Sequence, residues 1–536
     1  MSRAVKAGVL GLVIVATVWT FTLWRWHRMP QAVSGQDIAL ERLLQLVLLP
    51  LALTAVALVA WMGVRRLRTW VRTPLPTTVP LSGSLQATAS AAPPAADASP
   101  VVLPLASVLA EALTLPAGDD AAVAWQALKD ARVRPGLDPE LQDLDGLPVF
   151  SARVPDLDVR EWLLSHAELS LSGPAALPED VLRTLALLEG PLQALVDAVG
   201  ELQMARDAAQ GVDAAHGVRA VQDLDRPDTG LPVDAPLHLA GVGRPDSQAR
   251  RQAQSERAPR LQLRLCLPAR WSDEARGVAV DWVRRQCGSL LDWAERQGAS
   301  APVWHTEPLP TGAEPEALWT ELSASLPTWS ASSRPQLMLL LVADTALDTD
   351  CILQWQARGE LFTSHHQRGR VPGEAAAGLL LANAAWCAGA DISGPQLWPA
   401  QARQRERSAD GVGRVGCEAT AALMQGVAER HAARGQADWF VVSDGDHRSS
   451  RTAEVFEALQ AVCPQLDPMV SVVRAGEACG DMGLARALVP VALASVALRH
   501  NETDPASELA VALLVQDGLA RVAVPLTSSH PLSPST

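Results

Sequence analysis

Two long runs near the N-terminus, Ala7 to Trp24 and Leu43 to Val64, contain no Asp, Glu, Lys or Arg. At ~1.5 Å of rise per residue, each is long enough as a helix to cross a hydrocarbon layer of ~30 Å. The pair is expected to form a two-helix transmembrane hairpin. Cleavage of the first run as a signal peptide fits poorly, because it ends in Trp24-Arg25-Trp26 rather than at a small-residue site and a second run follows. Arg3 and Lys6 precede the first run, and Arg65, Arg66, Arg68 and Arg72 follow the second, against Arg25, Arg28 and Arg42 in the connection. The bias places both ends in the cytoplasm of a bacterial inner membrane, and the rest of the chain with them. The seven cysteines form no CxxC pair and no zinc spacing, which agrees with a reducing compartment.

The remaining mass divides by composition. Residues 1–72 hold the two helices, and 73–105 are rich in Pro, Ala, Ser and Thr, the composition of a flexible linker. Residues 106–208 read as an N-terminal α/β stretch, with a strand at Leu147 to Val154 and a helix at Pro178 to Met204. A polar linker is expected over 209–256, an α/β body over 257–527, and a disordered tail over 528–536. A net charge of -14 argues against a nucleic-acid surface.

Within 257–527, strand and helix patterns alternate twice. Arg260 to Leu267 alternates as a strand, Ser272 to Arg296 is amphipathic, and Gln336 to Ala343 is the continuous apolar run of a doubly buried strand. After Cys417 the alternation restarts with a helix at Glu418 to Arg434, a strand at Trp439 to Ser443 and a helix at Thr452 to Val462. It continues with a strand at Val470 to Arg474 and a helix at Gly483 to Arg499, and a hairpin of Leu509 to Val515 and Ala520 to Pro525 closes it. Two successive α/β halves imply an internal duplication, a sheet with helices on its faces.

Three segments in this region carry a resemblance: RVPGEAAAGLLLAN at Arg370 to Asn383, WFVVSDGDHRSSRTAEVFEAL at Trp439 to Leu459, and VVRAGEACGDMGLARALVPVALASVALRH at Val472 to His500. In order and spacing they resemble the β-ketoacyl synthase branch of the thiolase fold. The resemblance implies a duplicated αβαβα body, pairing into a homodimer, and a site built from a cysteine nucleophile, two histidines and a lysine. In this chain the first histidine position holds Asp444, the second holds Asp481, and the lysine position falls at about Gly476. The stretch for the nucleophile, Pro308 to Trp329, contains no cysteine. Carboxylates there would repel a developing enolate rather than stabilise it. The family's chemistry is therefore expected to be lost and its scaffold kept: no enzyme, no cofactor and no metal. The layout of anchor plus degenerate body resembles type VI secretion lipase adapter proteins, which implies a secreted effector as protein partner.

Other candidates stand beside plainer readings. Gly411-Val412-Gly413-Arg414-Val415-Gly416 matches GxGxxG, yet it follows a charged segment rather than a strand, so a loop is the default. Asp444, Asp446 and His447 are close enough for a metal cluster but lack a fourth ligand. His365-His366 reads as surface. Cys479 is a reactive thiol or a small core residue. Two rival functions stay open: an enzyme of another class using Asp444, Asp481 and Cys479 in a relict cleft, and a condensing enzyme whose nucleophile is Cys287 or Cys351.

Overall fold

The computed structural model describes residues 103–170, 177–223, 259–290, 303–305, 315–390, 392–411, 413–431, 439–500 and 508–528. The two N-terminal apolar runs lie outside them. Among the described residues, no helix is long and apolar enough to cross a membrane.

The chain enters the body through β1 (Ala106–Thr114) and α1 (Ala121–Lys129), then a hairpin of β2 (Gly136–Gln142) and β3 (Pro148–Ser151). A short α2 (Val159–Ser165) and the long α3 (Glu179–Asp223) follow. The first half of the duplication is β4 (Arg260–Cys266), α4 (Asp273–Gln286), β5 (Val303–His305), α5 (Pro315–Ser330), β6 (Gln336–Thr345), α6 (Thr349–Arg358) and β7 (Glu374–Ala382). Two short strands, β8 (Gln396–Leu397) and β9 (Gln401–Gln404), lead through α7 (Glu418–Arg430) to the second half. That half is β10 (Trp439–Ser443), α8 (Ser449–Val462), β11 (Val472–Arg474), α9 (Ala475–Cys479), a 3₁₀ turn over Gly483–Ala487, α10 (Val489–His500), β12 (Leu509–Leu514) and β13 (Ala520–Thr527).

The pairing of strands shows the repeat. β4 is parallel to β5 and to β6, and β6 is antiparallel to β7. β10 is parallel to β11 and to β12, and β12 is antiparallel to β13. In both halves the spatial order is therefore second, first, third, fourth. β1 and β8 join the halves into one 11-stranded sheet.

Alternation along the strands divides the apolar residues into three layers of core. Met338, Leu340 and Val342 of β6 face the same central cluster as Ala510, Ala512 and Leu514 of β12. Leu337, Leu339 and Leu341 face an outer cluster with Leu185, Leu188 and Leu192 of α3 and Trp282 of α4. Leu509, Val511 and Leu513 face a second outer cluster with α7 and α8. A period of two sends successive side chains to opposite faces, so strands apolar at every position must be covered on both sides. The central layer holds α5 and α10, which occupy the same place in the two halves, between the second and third strands. Every residue of α10 from Val489 to Leu498 is buried, and the helix touches β10 and β12 of one half, β7 of the other and the joining strand β1. Helix, sheet, helix, sheet and helix therefore follow one another, the duplicated αβαβα arrangement.

Two differences from the sequence reading bear on how the chain is divided, and a third is local: the strand read at Val470 to Arg474 begins at Val472, after a helical turn over Pro468–Ser471. Residues 106–208 contribute to the common sheet and core, because β1 pairs with β7 and α3 covers β1, β6 and β7. Helix α3 also runs past Met204 to Asp223, into the stretch read as linker. Alanines at 205, 208, 209, 214 and 215 favour helix there despite the polar composition.

Helix α1 illustrates how locally set some elements are. Asp120 accepts hydrogen bonds from the Ala122 and Val123 amides at 2.9 Å each, capping the helix that lays Trp125 against the central core. Asp120→Ala is expected to lower stability by ~1 kcal/mol in chemical denaturation.

Candidate functional site

The site forms where strand ends of the second half meet the start of a central helix from the first. Asp444 follows the last residue of β10 and is fully buried. One of its oxygens, Oδ1, accepts from the Val515 amide at 2.6 Å and the Gln516 amide at 3.1 Å, so it closes the turn after β12. Its Oδ2 accepts from Nη1 of Arg486 at 3.1 Å. Arg486, in the 3₁₀ turn before α10, also grips Glu316 with both nitrogens of its fork, at 2.7 and 3.1 Å. Glu316 lies in the first turn of α5, where the helix dipole favours an acid.

Three buried charges from three segments thus share one contact set, two acids around one guanidinium. Burial pushes the Asp444 carboxyl up to about 6, with Glu316 adding to the rise, while Arg486 and the Val515 amide oppose it. The same carboxylates, with Asp481 beyond them, hold Arg486 in its charged form against burial.

The other two degenerate positions are structural. A Cβ on Gly476 would stand 2.1 Å from the carbonyl oxygen of Asp444, so no side chain of any kind fits where the resemblance puts a lysine. Asp481 accepts from the Gly483 amide at 3.1 Å and faces Arg370 at 3.4 Å, at the turn that opens the 3₁₀ segment. Gly480 beside it has φ of +63° and passes close to the Val371 carbonyl, a conformation and clearance that suit glycine alone.

Burial raises each of the three candidate thiols, and for Cys351, in the first turn of α6, it outweighs the opposing field of Arg270. Burial pushes Cys479 up to about 12, and Cys287 likewise. Cys351 is also pushed to about 12 by burial, with Asp348 adding to the effect. A nucleophilic cysteine requires the opposite environment, a cation or helix N-terminus that favours the thiolate. Of the trio Asp444, Asp481 and Cys479, the two acids converge on the field of Arg486, and the thiol remains a core group in the central cluster.

The surrounding polar groups are also engaged with one another. Asp446 is held by Arg448 at 2.7 Å, and Arg448 reaches Asp410 at 2.9 Å. The Arg448 guanidinium keeps the Asp446 carboxyl below the usual range although burial opposes it. His447 meets Phe362 edge to face, with ring centroids 5.0 Å apart. Among the described residues, no group of three His, Cys, Asp or Glu side chains is placed to hold a metal ion. Asp344, at the end of β6, accepts from Arg270 and from the Leu484 amide at 2.7 Å each. Together with Pro315 these groups line a hollow of about 140 Å³ next to Glu316.

The remaining sequence candidates lie away from this centre. The GxGxxG segment is in the connection from β9 to α7, where its residues outside Val412 line a surface hollow of about 950 Å³. His366 closes a turn through Leu361 and Thr363.

Sequence reasoning missed Glu316, Arg486 and Asp344. A signal existed for two of them: Arg486 and Asp344 are lone charges in segments otherwise apolar enough to be buried, GLARALVPVAL and QLMLLLVADT, whereas Glu316 shares its segment with Glu314. Such a charge must find a partner, though its identity cannot be read from one segment.

No family model and no curated protein matches the chain. Among solved structures it is similar to the ishigamide ketosynthase/chain length factor, at 14% identity over 79% of this chain and 99% of that one, with a TM-score of 0.42. It is also similar to a β-ketoacyl synthase from Burkholderia phymatum, at 11% identity over 80% of this chain and 100% of that one, TM-score 0.44. A ketosynthase from module 6 of the bacillaene synthase of Bacillus subtilis matches at 12% identity over 79% and 72%, TM-score 0.46. At these values no residue's role transfers between chains, and the site rests on its own geometry.

Proposed function

We propose that this chain is a non-catalytic binding scaffold, an adaptor whose thiolase-like body has lost condensing chemistry. The observation that carries this reading is the Glu316–Arg486–Asp444 contact set. Carbon–carbon bond formation on a thioester needs a thiolate nucleophile and nitrogen donors that stabilise the oxyanion. Here a carboxylate heads the central helix, another ends the strand opposite, and the cation between them is engaged by both. A guanidinium held by two internal acids has little charge left to offer a substrate.

The resemblance in layout to type VI secretion lipase adapter proteins supplies the partner class, a secreted effector. On this reading the N-terminal apolar runs keep the body at the membrane while it holds that effector. Two measurements test the proposal. Intact mass after incubation with acyl-carrier-protein thioesters is expected to show no acylated species; a stable acyl adduct on any of the seven cysteines would sink it. Affinity purification from a native strain is expected to recover an effector or a secretion component, and a preparation recovering neither would remove the secretion assignment.

A second reading has one observation in its favour. A buried carboxyl that titrates near 6 is a feature of acid–base sites. If Asp444 were catalytic, a hydrolytic activity against small esters or amides would vanish in Asp444→Asn while the fold persisted. The scaffold reading expects no such activity in either protein.

A further inference from the structure

The charge balance of the Glu316–Arg486–Asp444 set, two acids to one cation, is inverted beside β9. Glu454, on α8, is fully buried and accepts from Arg521 through both of its oxygens, at 2.8 and 2.9 Å. Arg405 approaches the same carboxylate at 2.6 Å. Arg403 stands opposite Arg521 across the β9–β13 pair, so the two side chains share a face of the sheet. The Arg405 amide donates to the Leu519 carbonyl at 2.9 Å and extends the pairing, and the period of two brings Arg405 to that face as well. Three guanidiniums therefore gather on one face around one fully buried carboxylate. Like charges opposite one another across two strands are destabilising, which leaves this face short of negative charge in a chain whose net charge is -14.

The same arginines line the hollow of about 950 Å³ bounded by β9, the connection that follows it and the head of α7, together with Arg407 and Arg414. Arg405 is the built part of it. Its side chain is 8% exposed; Nη1 meets Glu454 and donates to the Gly416 carbonyl at 2.7 Å, and Nε donates to the Arg407 carbonyl at 3.1 Å. That leaves Nη2 without a hydrogen bond among the described residues, on a buried cation that lines an open hollow. Arg403 and Arg407 are exposed at the same hollow.

Three acids also line it. Glu457 is paired with Arg414 at 3.2 Å, and Glu406 is exposed. Glu418, in the first turn of α7, lays its carboxylate against Gly416, in the space a Cβ there would need. The cap residue Cys417 makes no side-chain bond to the helix amides, so the Glu418 carboxylate sits at the helix head, where the dipole favours an anion.

We propose that this hollow binds a small soluble molecule bearing a phosphate or pyrophosphate group, held by the Arg403, Arg405 and Arg407 guanidiniums, and that the Glu418 carboxylate is its internal competitor. The guanidinium fork matches phosphate oxygens in pairs, and the volume is within the range of small-molecule sites, roughly 300 to 1,000 Å³. The hollow shares no residue with the Glu316–Arg486–Asp444 set, so the site is independent of what that set does.

The test is calorimetric titration of the whole chain with pyrophosphate at constant ionic strength. Binding is expected, and it should weaken about tenfold in the double variant Arg403→Gln, Arg407→Gln, with an unchanged thermal midpoint because both side chains are exposed. Glu418→Gln should strengthen binding several-fold, a gain that a merely structural role for the loop would not produce. Absence of binding at millimolar pyrophosphate overturns the proposal. So does binding that the arginine substitutions leave unchanged, or a Glu418→Gln protein that binds no more tightly than wild type. Attachment to phosphatidic acid vesicles that pyrophosphate fails to compete away would assign the arginines to a lipid surface, and would overturn it too.

Discussion

Arg486→Ala is expected to destabilise the body by about 4 kcal/mol, the largest effect of any single change considered. The guanidinium is the only cation hydrogen-bonded to Glu316 and to Asp444 among the contacts described, and all three side chains are buried. Its removal leaves two carboxylates in a poorly solvated interior without a counter-ion, Asp444 keeping only its two amide donors and Glu316 the helix N-terminus. The loss should appear in chemical denaturation as a lower midpoint with an unchanged slope. A second variant separates ion pairing from packing. Glu316→Met, Arg486→Met and Asp444→Asn combined remove all three charges while leaving an oxygen for the Val515 and Gln516 amides. Replacing a whole buried ionic group by groups of similar volume is often close to neutral, so this triple variant should recover most of what Arg486→Ala loses. If Arg486→Ala costs under ~1 kcal/mol, the contact set does not organise the site, and the argument for a closed, non-catalytic centre fails with it.

Stability should also carry a pH dependence traceable to Asp444. Its folded carboxyl titrates at about 6 against an ordinary value of 3.8, chiefly because burial disfavours the charge. A raised value means the folded state holds a proton that the unfolded chain has released. The stabilisation is therefore complete below the unfolded value and lost as pH rises through the folded one. Between about pH 4 and 6 this amounts to about 3 kcal/mol. Glu111 is raised as well, by burial against the opposing Arg499, so the wild-type curve alone does not isolate Asp444. The difference between wild type and Asp444→Asn does, because only one of them has the group. That difference should vary with pH over this window, and a flat difference would show that Asp444 stays ionised beside Arg486. Protonation is tolerated in the fold because Arg486 keeps both bonds to Glu316.

Much of the architecture was legible in the residues. The β10 strand lies at Trp439–Ser443, as read, and β4 differs from its reading by one residue at the end. These segments declare themselves through a local property, alternation or an unbroken apolar run between turn signals, that forces burial in any context. The duplication was legible for the same reason, since each half repeats the same order of patterns. The helix over 483–499 was legible only in part. Its first turn is 3₁₀, and a break at Leu488 precedes α10.

The site was half legible. Asp444, Asp481 and Gly476 were singled out by residue type, at positions where the resemblance implies imidazole and lysine. Residue type could not show what surrounds them. Glu316 and Arg486 are 170 residues apart in the chain, and Arg486 and Asp444 are 42 apart.

What the sequence by itself determined is therefore the strands and helices with a clear period, their repetition within 257–527, and the residue types at Asp444, Gly476 and Asp481. Those are consequences of side-chain period and of chemical identity, both readable one segment at a time. Only the tertiary structure decided that two central helices from different halves meet at the end of β10, and that one arginine there answers two acids. Pairing of buried charges depends on which distant segments arrive together, and the pattern within a single segment contains no information about that.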